Sequence, residues 1–148
     1  MTARLLPDSE ALALEAARCY MAKLYGAEWK AKGHEVTFVV EMPTDWHSRG
    51  PFVMIRRSSG TARDSRVLDS GVFTVHTFAG SRRDASRLAR QVRQCLYMAA
   101  LERFHNEEGA LTYFKEVTGP LYSSGDTQLD HPDVNRFVAS YILYSHPL

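Results

Sequence analysis

The amino-acid sequence predicts an α+β fold, a mostly antiparallel β-sheet with two α-helices packed on one face. Two long segments carry apolar residues at helical spacing. Shorter segments are rich in β-branched and aromatic residues, which is typical of strands. The strands are grouped along the chain instead of alternating with helices, so the predicted order is α-β-β-β-α-β-β. Because repeats and low-complexity segments are absent, we expect residues 1–148 to form a single domain.

The first helix is predicted from about residue 8 to residue 25, and Gly26 or Gly33 ends the region. PDS at 7–9 is a plausible capped start. The apolar stripe of the helix comprises Leu14, Ala17, Met21 and Leu24. Residues 35–40 are mostly β-branched and aromatic and predict the first strand. Residues 42–51 contain prolines, a glycine and an aspartate, which predict a loop.

The next two strands are predicted to form an antiparallel hairpin. Residues 52–57 form its first strand, and its second and longer strand covers residues 71–79 within the segment 66–79. Residues 58–64 between them are polar, and we expect them to be a mobile connection.

The second helix has the clearest start signal in the chain. Ser81 and Asp84 have the spacing of a capping box, with Asp in place of the usual Glu. The helix is predicted to extend to Phe104, a rod of about 30 Å. Its apolar stripe comprises Ala85, Leu88, Ala89, Val92, Cys95, Leu96 and Ala99. A different face carries Arg83, Arg87, Arg90 and Gln94.

Two strands complete the predicted sheet. They cover residues 110–118 and 134–146, and residues 119–133 between them have the composition of a loop. The last strand has apolar residues on both alternating faces, so we expect it to be covered on two sides.

The charge balance argues against several classes of protein. Lys and Arg total 18, Asp and Glu total 17, and a net charge of +1 is unlike that of a dedicated nucleic-acid-binding protein. No apolar run reaches the length of about 20 residues that spans a bilayer, and no signal-peptide core is visible, so we expect a protein made in the cytoplasm with no membrane partner. Cys19 and Cys95 are expected to be buried free thiols, with a disulfide or metal role as the alternative.

No specific catalytic or cofactor motif is present. The most enzyme-like group is Asp126, Asp130, His131 and Asp133, which could bind a divalent cation or transfer protons, but the same residue types form surface turns. His76 lies within a strand and is expected to be a hydrogen-bonded histidine, not a catalytic base. We therefore predict a protein that is not an enzyme and that has no cofactor or bound metal.

Arginine is the main candidate for subunit contacts, since it outnumbers lysine 14 to 4 and forms bidentate bonds to carboxylates. A solvated helix face and hairpin are the alternative interpretation. Trp46 lies in a polar loop and either folds back on the core or anchors a partner. The candidate interface residues are Trp46, Arg56, Arg57, Arg63, Arg66, Arg83, Arg87, Arg90, Asp126 and Asp130.

Three stretches, in this order and spacing, resemble the tail terminator (tail completion) proteins of long-tailed siphophages, particularly those infecting actinobacteria. The first is MP at 42–43 with PFVMIRR at 51–57. The second is RVLDSGVFTVHTFA at 66–79, which runs into SRRDASRLA at 81–89. The third is DHPDVNRFVASY at 130–141. With the leading helix the resemblance covers nearly the whole chain, although residues 102–109 and 122–128 carry no signature of the family.

The resemblance implies a structural protein of the virion, assembled in the host cytoplasm. Such proteins form a ring, usually of six copies, at the head-proximal end of the tail. The ring binds the tail tube, stops its growth and offers a surface to the head-completion or connector proteins. DNA is implied only as the genome that passes through the lumen.

Several alternatives remain open from the sequence. Another head–tail connector or neck ring protein fits the same composition, whereas the two helices argue against a tail tube subunit. A small ligand-binding or metal-dependent enzyme domain and a nucleic-acid-binding module are the other classes. The tail terminator resemblance predicts that residues 58–65 and 122–133 are mobile in an isolated subunit and become ordered on ring or tube contact.

Overall fold

A mixed six-stranded sheet with the order β1-β2-β3-β6-β5-β4 forms the centre of the molecule. The computed structural model describes residues 5–46, 50–123 and 134–148. The elements are α1 (Ser9–Ala31), β1 (Thr37–Val39), β2 (Phe52–Asp64), β3 (Leu68–Ala79), α2 (Arg82–Leu101), β4 (His105–Asn106), β5 (Gly109–Ser123) and β6 (Asn135–His146). The predicted fold class and element order are confirmed, with the two-residue β4 added before β5.

The first helix is longer than predicted. It continues past Tyr25 and Gly26 to Ala31 because its last turns bury Trp29, whose side chain is 1% exposed. A glycine inside a helix costs about 1 kcal/mol relative to alanine. Burial of a whole indole contributes more than that, so packing against the rest of the fold outweighs the local signal to stop.

The prediction of a mobile connection at residues 58–64 was wrong, because β2 continues through Asp64 and pairs with β3 along this length. Gly60 lies opposite Gly71 and has a φ of +119°, in the region that favours glycine. A Cβ at Gly60 would lie 2.2 Å from the Ser70 carbonyl oxygen. The polar composition therefore marks an exposed, bulged strand and not a loop.

Strict alternation along β3 and β6 divides the sheet into a face covered by the helices and an open face. The odd-numbered residues of both strands point towards the helices and are mostly buried. They form the main core with α1 and α2 through Phe73, Val75, Ala139, Tyr141 and Leu143. Both helices therefore cover the same face of the sheet, as predicted.

Two features hold the helices antiparallel to each other. In the interior, Trp29 Nε1 donates to Gln91 Oε1 at 2.7 Å, and Gln91 Nε2 donates in turn to Glu28 Oε2 at 2.5 Å. At the surface, Lys32 at the end of α1 pairs with Asp84 in the first turn of α2 at 3.2 Å. The C-terminal end of α1 is thereby fixed beside the N-terminal end of α2.

The open face is only partly covered. At one end, Met42 and Trp46 pack on a second apolar cluster that comprises Phe52, Met54 and Phe78. The segment that carries Met42 and Trp46 follows β1, which runs parallel to β2 in an otherwise antiparallel sheet. Further along this face, Val138, Ile142 and Tyr144 of β6 are only half-buried. The second side of β6, which we expected to be covered, is thus not fully covered by the part of the chain that is described.

The two cysteines are free thiols, as predicted. Cys95 is fully buried in the core, and this burial raises the pKa of its thiol to about 12. Cys19 is half-buried on α1 instead of buried. Neither α1 nor α2 combines the length and apolarity that a membrane crossing requires, and the described ranges contain no other α-helix.

Gln91→Leu should lower the free energy of unfolding by about 1–3 kcal/mol, because the buried Trp29 N–H loses its acceptor. Urea denaturation followed by tryptophan fluorescence measures this change. The matched control is Gln94→Leu on the exposed side of the same helix, which should stay within about 0.5 kcal/mol of the unmodified protein. Equal effects of the two substitutions would contradict the assigned role of the hydrogen bond.

Candidate assembly surfaces

The exposed side of α2 is a basic ridge. Ser81 accepts a hydrogen bond from the Asp84 N–H at 3.1 Å and caps the helix, which fixes the direction of the turns that follow. Arg87 donates to Glu28 at 2.8 Å through Nε, and this bond lowers the pKa of the Glu28 carboxyl. Arg83 and Arg90 are exposed, and neither makes an ion pair with a described residue. Arg90 Nε donates to the Ser86 carbonyl oxygen at 3.3 Å, which leaves the terminal nitrogens of Arg90 and the guanidinium of Arg83 for a partner.

The ridge continues with apolar side chains towards the end of α2. At three- and four-residue steps after Arg90 come Gln94, Tyr97 and Leu101. Tyr97 is 44% exposed and Leu101 is 61% exposed, although the edge of Tyr97 touches Phe114 of β5. The sequence prediction assigned only the arginines and Gln94 to this face. The same spacing extended by two turns would have included the two apolar residues.

Arg57 is part of an internal cluster on the helix side of the sheet. Its guanidinium makes a bidentate pair with Asp69, in which Nη2 to Oδ1 is 2.9 Å, and it also donates to Ser9 Oγ at 3.0 Å. The hydrogen bonds to Asp69 raise the pKa of Arg57. The backbone N–H of Arg57 donates to Glu10 Oε2 at 2.8 Å. Arg57 thus connects the β2–β3 hairpin to the start of α1.

The neighbouring Arg56 points to the open face, where it lies near His76 and Arg136. Arg136 Nη1 lies 3.1 Å from His76 Nδ1, and since a guanidinium only donates, the imidazole nitrogen is the acceptor. Burial, with the charges of Arg136 and Arg56, lowers the pKa of His76 to about 4. His76 is therefore neutral at physiological pH and is hydrogen-bonded within the strand, as expected.

The remaining hairpin arginines are on the surface. Arg63 lies over the ring of Tyr144 at 5.4 Å, on the open side of the sheet. Arg66 pairs with Asp64 through Nη2 and Oδ2 at 3.1 Å, and this contact lowers the pKa of Asp64. Both arginines are exposed, so they remain candidates for contact with a partner.

Trp46 is half-buried, and its ring centroid lies 6.1 Å from that of Phe78. Of the two interpretations of this tryptophan, folding back on the core matches the described contacts.

Asp126 and Asp130 lie outside the described residues, as do His131 and Asp133.

Asp69→Asn should reduce the free energy of unfolding by about 2–4 kcal/mol, because it leaves the half-buried Arg57 without its charged partner. Thermal and urea denaturation measure the loss. The control is Asp64→Asn, which removes a surface ion pair with the exposed Arg66 and should leave the stability unchanged. If Asp69→Asn also leaves the stability unchanged, the cluster does not hold the hairpin to α1.

The imidazole of His76 should titrate near pH 4 in NMR spectra of the folded protein, instead of near its ordinary value of 6.5. The unfolded chain binds this proton at higher pH than the folded chain does. Folding stability should therefore fall as the pH drops from 6.5 towards 4. His76→Gln should remove that part of the pH dependence, and a midpoint near 6.5 in the folded protein would be the contrary result.

Comparison with known proteins agrees with the resemblance inferred from the sequence. The profile of a family described as phage tail termination protein matches residues 7–131, which span α1 through β5. No curated protein matches the chain significantly. Because the matched stretch covers most of the sequence, the chain belongs to the phage tail termination protein family.

Proposed function

We propose that the protein forms a homo-oligomeric ring of six copies on the head-proximal end of the tail tube. There it stops tube polymerisation and presents the joining surface to the head-completion proteins. The genome passes through the lumen, and the ring is assembled in the host cytoplasm as part of the virion. Membership of the tail termination family supports this role. The siphophage tail and the actinobacterial host stay predictions of the resemblance.

The structural observation that supports assembly is the number of large apolar side chains left at the surface. Contiguous exposed apolar surface marks protein–protein contacts, and Tyr97 and Leu101 lie one turn apart on the exposed side of α2. The exposed residues in the helix layer and on β5 are Leu24, Tyr97, Leu101, Tyr113, Val117 and Leu121. Contacts with other copies, with the tube or with the connector would remove these side chains from water.

The edges of the sheet also favour contacts with other chains. Among the described strands, β1 pairs only with residues 52–54 of β2, and β4 pairs only with residues 109–110 of β5. The remaining lengths of β2 and β5 have no strand of the described residues on their outer side. Unpaired edges are the places where proteins add strands from a partner, unless bulges or proline protect them. β5 carries three register shifts and Pro120, so its edge is partly protected from pairing with strands other than that of its partner.

The open face supports a passive role for the protein. Near Arg56 and His76, the described titratable side chains of this face are either cationic or neutral. The other described side chains of this face are largely small or apolar. We propose that the protein contacts its partners without a catalytic step and without a cofactor. A net charge of +1 allows DNA to pass, because phosphate affinity grows with the number of cationic contacts.

Addition of the purified protein to polymerising tail tube subunits should shorten the tubes and leave an extra ring at one end, because a bound ring blocks further addition. Tube lengths and ends are measured by electron microscopy. As a control, the protein is added after polymerisation has finished, which should mark tube ends without changing the lengths.

Unchanged tube lengths with unmarked ends would contradict the proposed function. Binding to the head vertex instead of the tube end would favour the alternative of a connector or neck ring protein. The mass of the bound ring, measured by mass photometry of tube ends released by mild dissociation, gives the number of copies.

A further inference from the structure

We propose that the basic ridge of α2 in one copy docks into an acidic groove of the next copy, so that the copies associate head to tail. This inference rests on the proposed function, since it names the partner surface within the proposed ring. The ridge is formed at this contact by Arg83, Arg87 and Arg90. The acidic groove lies beyond the other end of α2.

The acidic groove has a volume of about 560 Å³ and lies between the start of α1, the turn after β4 and the residues after β6. Asp8, Glu107 and Glu108 supply its carboxylates, and none of the described residues that line it is a Lys or Arg. Its apolar walls include Leu5 and Leu148, which are 92% and 63% exposed. The groove therefore offers both carboxylates and apolar surface to a ligand of the opposite charge.

The chemistry of the two surfaces is complementary. An arginine side chain has an apolar stem and a planar cation at its tip, and it suits a groove with apolar walls and carboxylates on its rim. Glu107 and Glu108 make no ion pair with a described residue, and the same is true of Arg83 and Arg90. Docking would pair these four charges without breaking the pairs that Arg87 and Lys32 already make with Glu28 and Asp84.

The positions of the two surfaces decide what kind of assembly forms. Arg83 lies in the first turn of α2, whereas Glu107 comes six residues after Leu101, the last residue of that helix. Twenty residues of helix span about 30 Å. The ridge and the groove of one chain therefore cannot satisfy each other. Two different patches that complement each other produce a heterologous contact, and a heterologous contact that closes on itself produces a ring.

Two charge-reversed proteins test the contact. The first carries Arg83→Glu and Arg90→Glu, and the second carries Glu107→Lys and Glu108→Lys. Each alone places like charges at the contact, so its association should weaken about tenfold or more. In an equimolar mixture, every ridge meets a groove of opposite charge if the two proteins alternate. The mixture should therefore recover assembly, and an alternating ring contains an even number of copies.

Light scattering and analytical ultracentrifugation over a concentration series measure the assemblies at low ionic strength. The matched control for the first protein carries Lys23→Glu and Lys115→Glu, which give the same change in net charge at exposed positions that line neither the ridge nor the groove, and it should leave assembly intact. Recovery in the mixture also shows that both reversed proteins are folded. Higher salt should weaken the unmodified assembly, since exposed charges are screened.

Several results would overturn the head-to-tail contact. These are an unmodified protein that stays monomeric, reversed proteins that assemble as well as the unmodified one, a mixture without recovery, and a closed symmetric dimer. The tube-capping experiment is independent of them. If the protein caps the tubes but the charge exchange fails, only the head-to-tail contact is contradicted. If the charge exchange succeeds but the protein does not cap the tubes, only the proposed function is contradicted.

Discussion

The burial of one face of the sheet beneath two antiparallel helices is the constraint on which the rest of the structure depends. Strict alternation in β3 and β6 sends every second side chain to that face. Trp29 fills the space between the helices, and Gln91 satisfies its only polar atom. The cost of burying the amide is offset because Gln91 also donates to Glu28, so neither partner is left without a hydrogen bond. This network fixes the angle at which α2 presents its outer side.

Because the helices cover only one face of the sheet, the second face and the strand edges must be protected from solvent and from association by other parts of the structure. One end of the open face is closed by Trp46 and Met42 over Phe78. Bulges and Pro120 interrupt β5, while the exposed part of β2 is polar and carries Gly60 at a position that rejects a side chain. These are devices that keep unpaired strands from associating at random. A protein whose strand edges stay unpaired until it binds a partner needs this protection against association more than a protein whose sheet is closed.

Local signals predicted what local interactions decide. The capping box and apolar stripe located α2 within three residues at its C-terminal end, because cap and stripe lie in the same segment. The end of α1 was missed because it depends on Trp29 reaching α2, far away in sequence. Residues 58–64 were missed because β3 supplies their hydrogen bonds. For Arg56 and Arg57, the sequence placed both among candidate contacts. Only the register shows that Arg57 points inward to Asp69 and Arg56 outward to the open face.

The small net charge of the chain conceals a separation of charge along α2. Near its start, Lys32, Arg83, Arg87 and Arg90 are only partly balanced by Glu28 and Asp84, and the carboxylates of Asp8, Glu107 and Glu108 lie in the groove past its end. If copies associate through these two regions, each contact pairs one cationic surface with one anionic surface, and the net charge of the assembly does not change. A ring formed in this way has few uncompensated charges at its joints. Its interaction with DNA then depends on the side chains that line the lumen and not on the charges that hold the ring together.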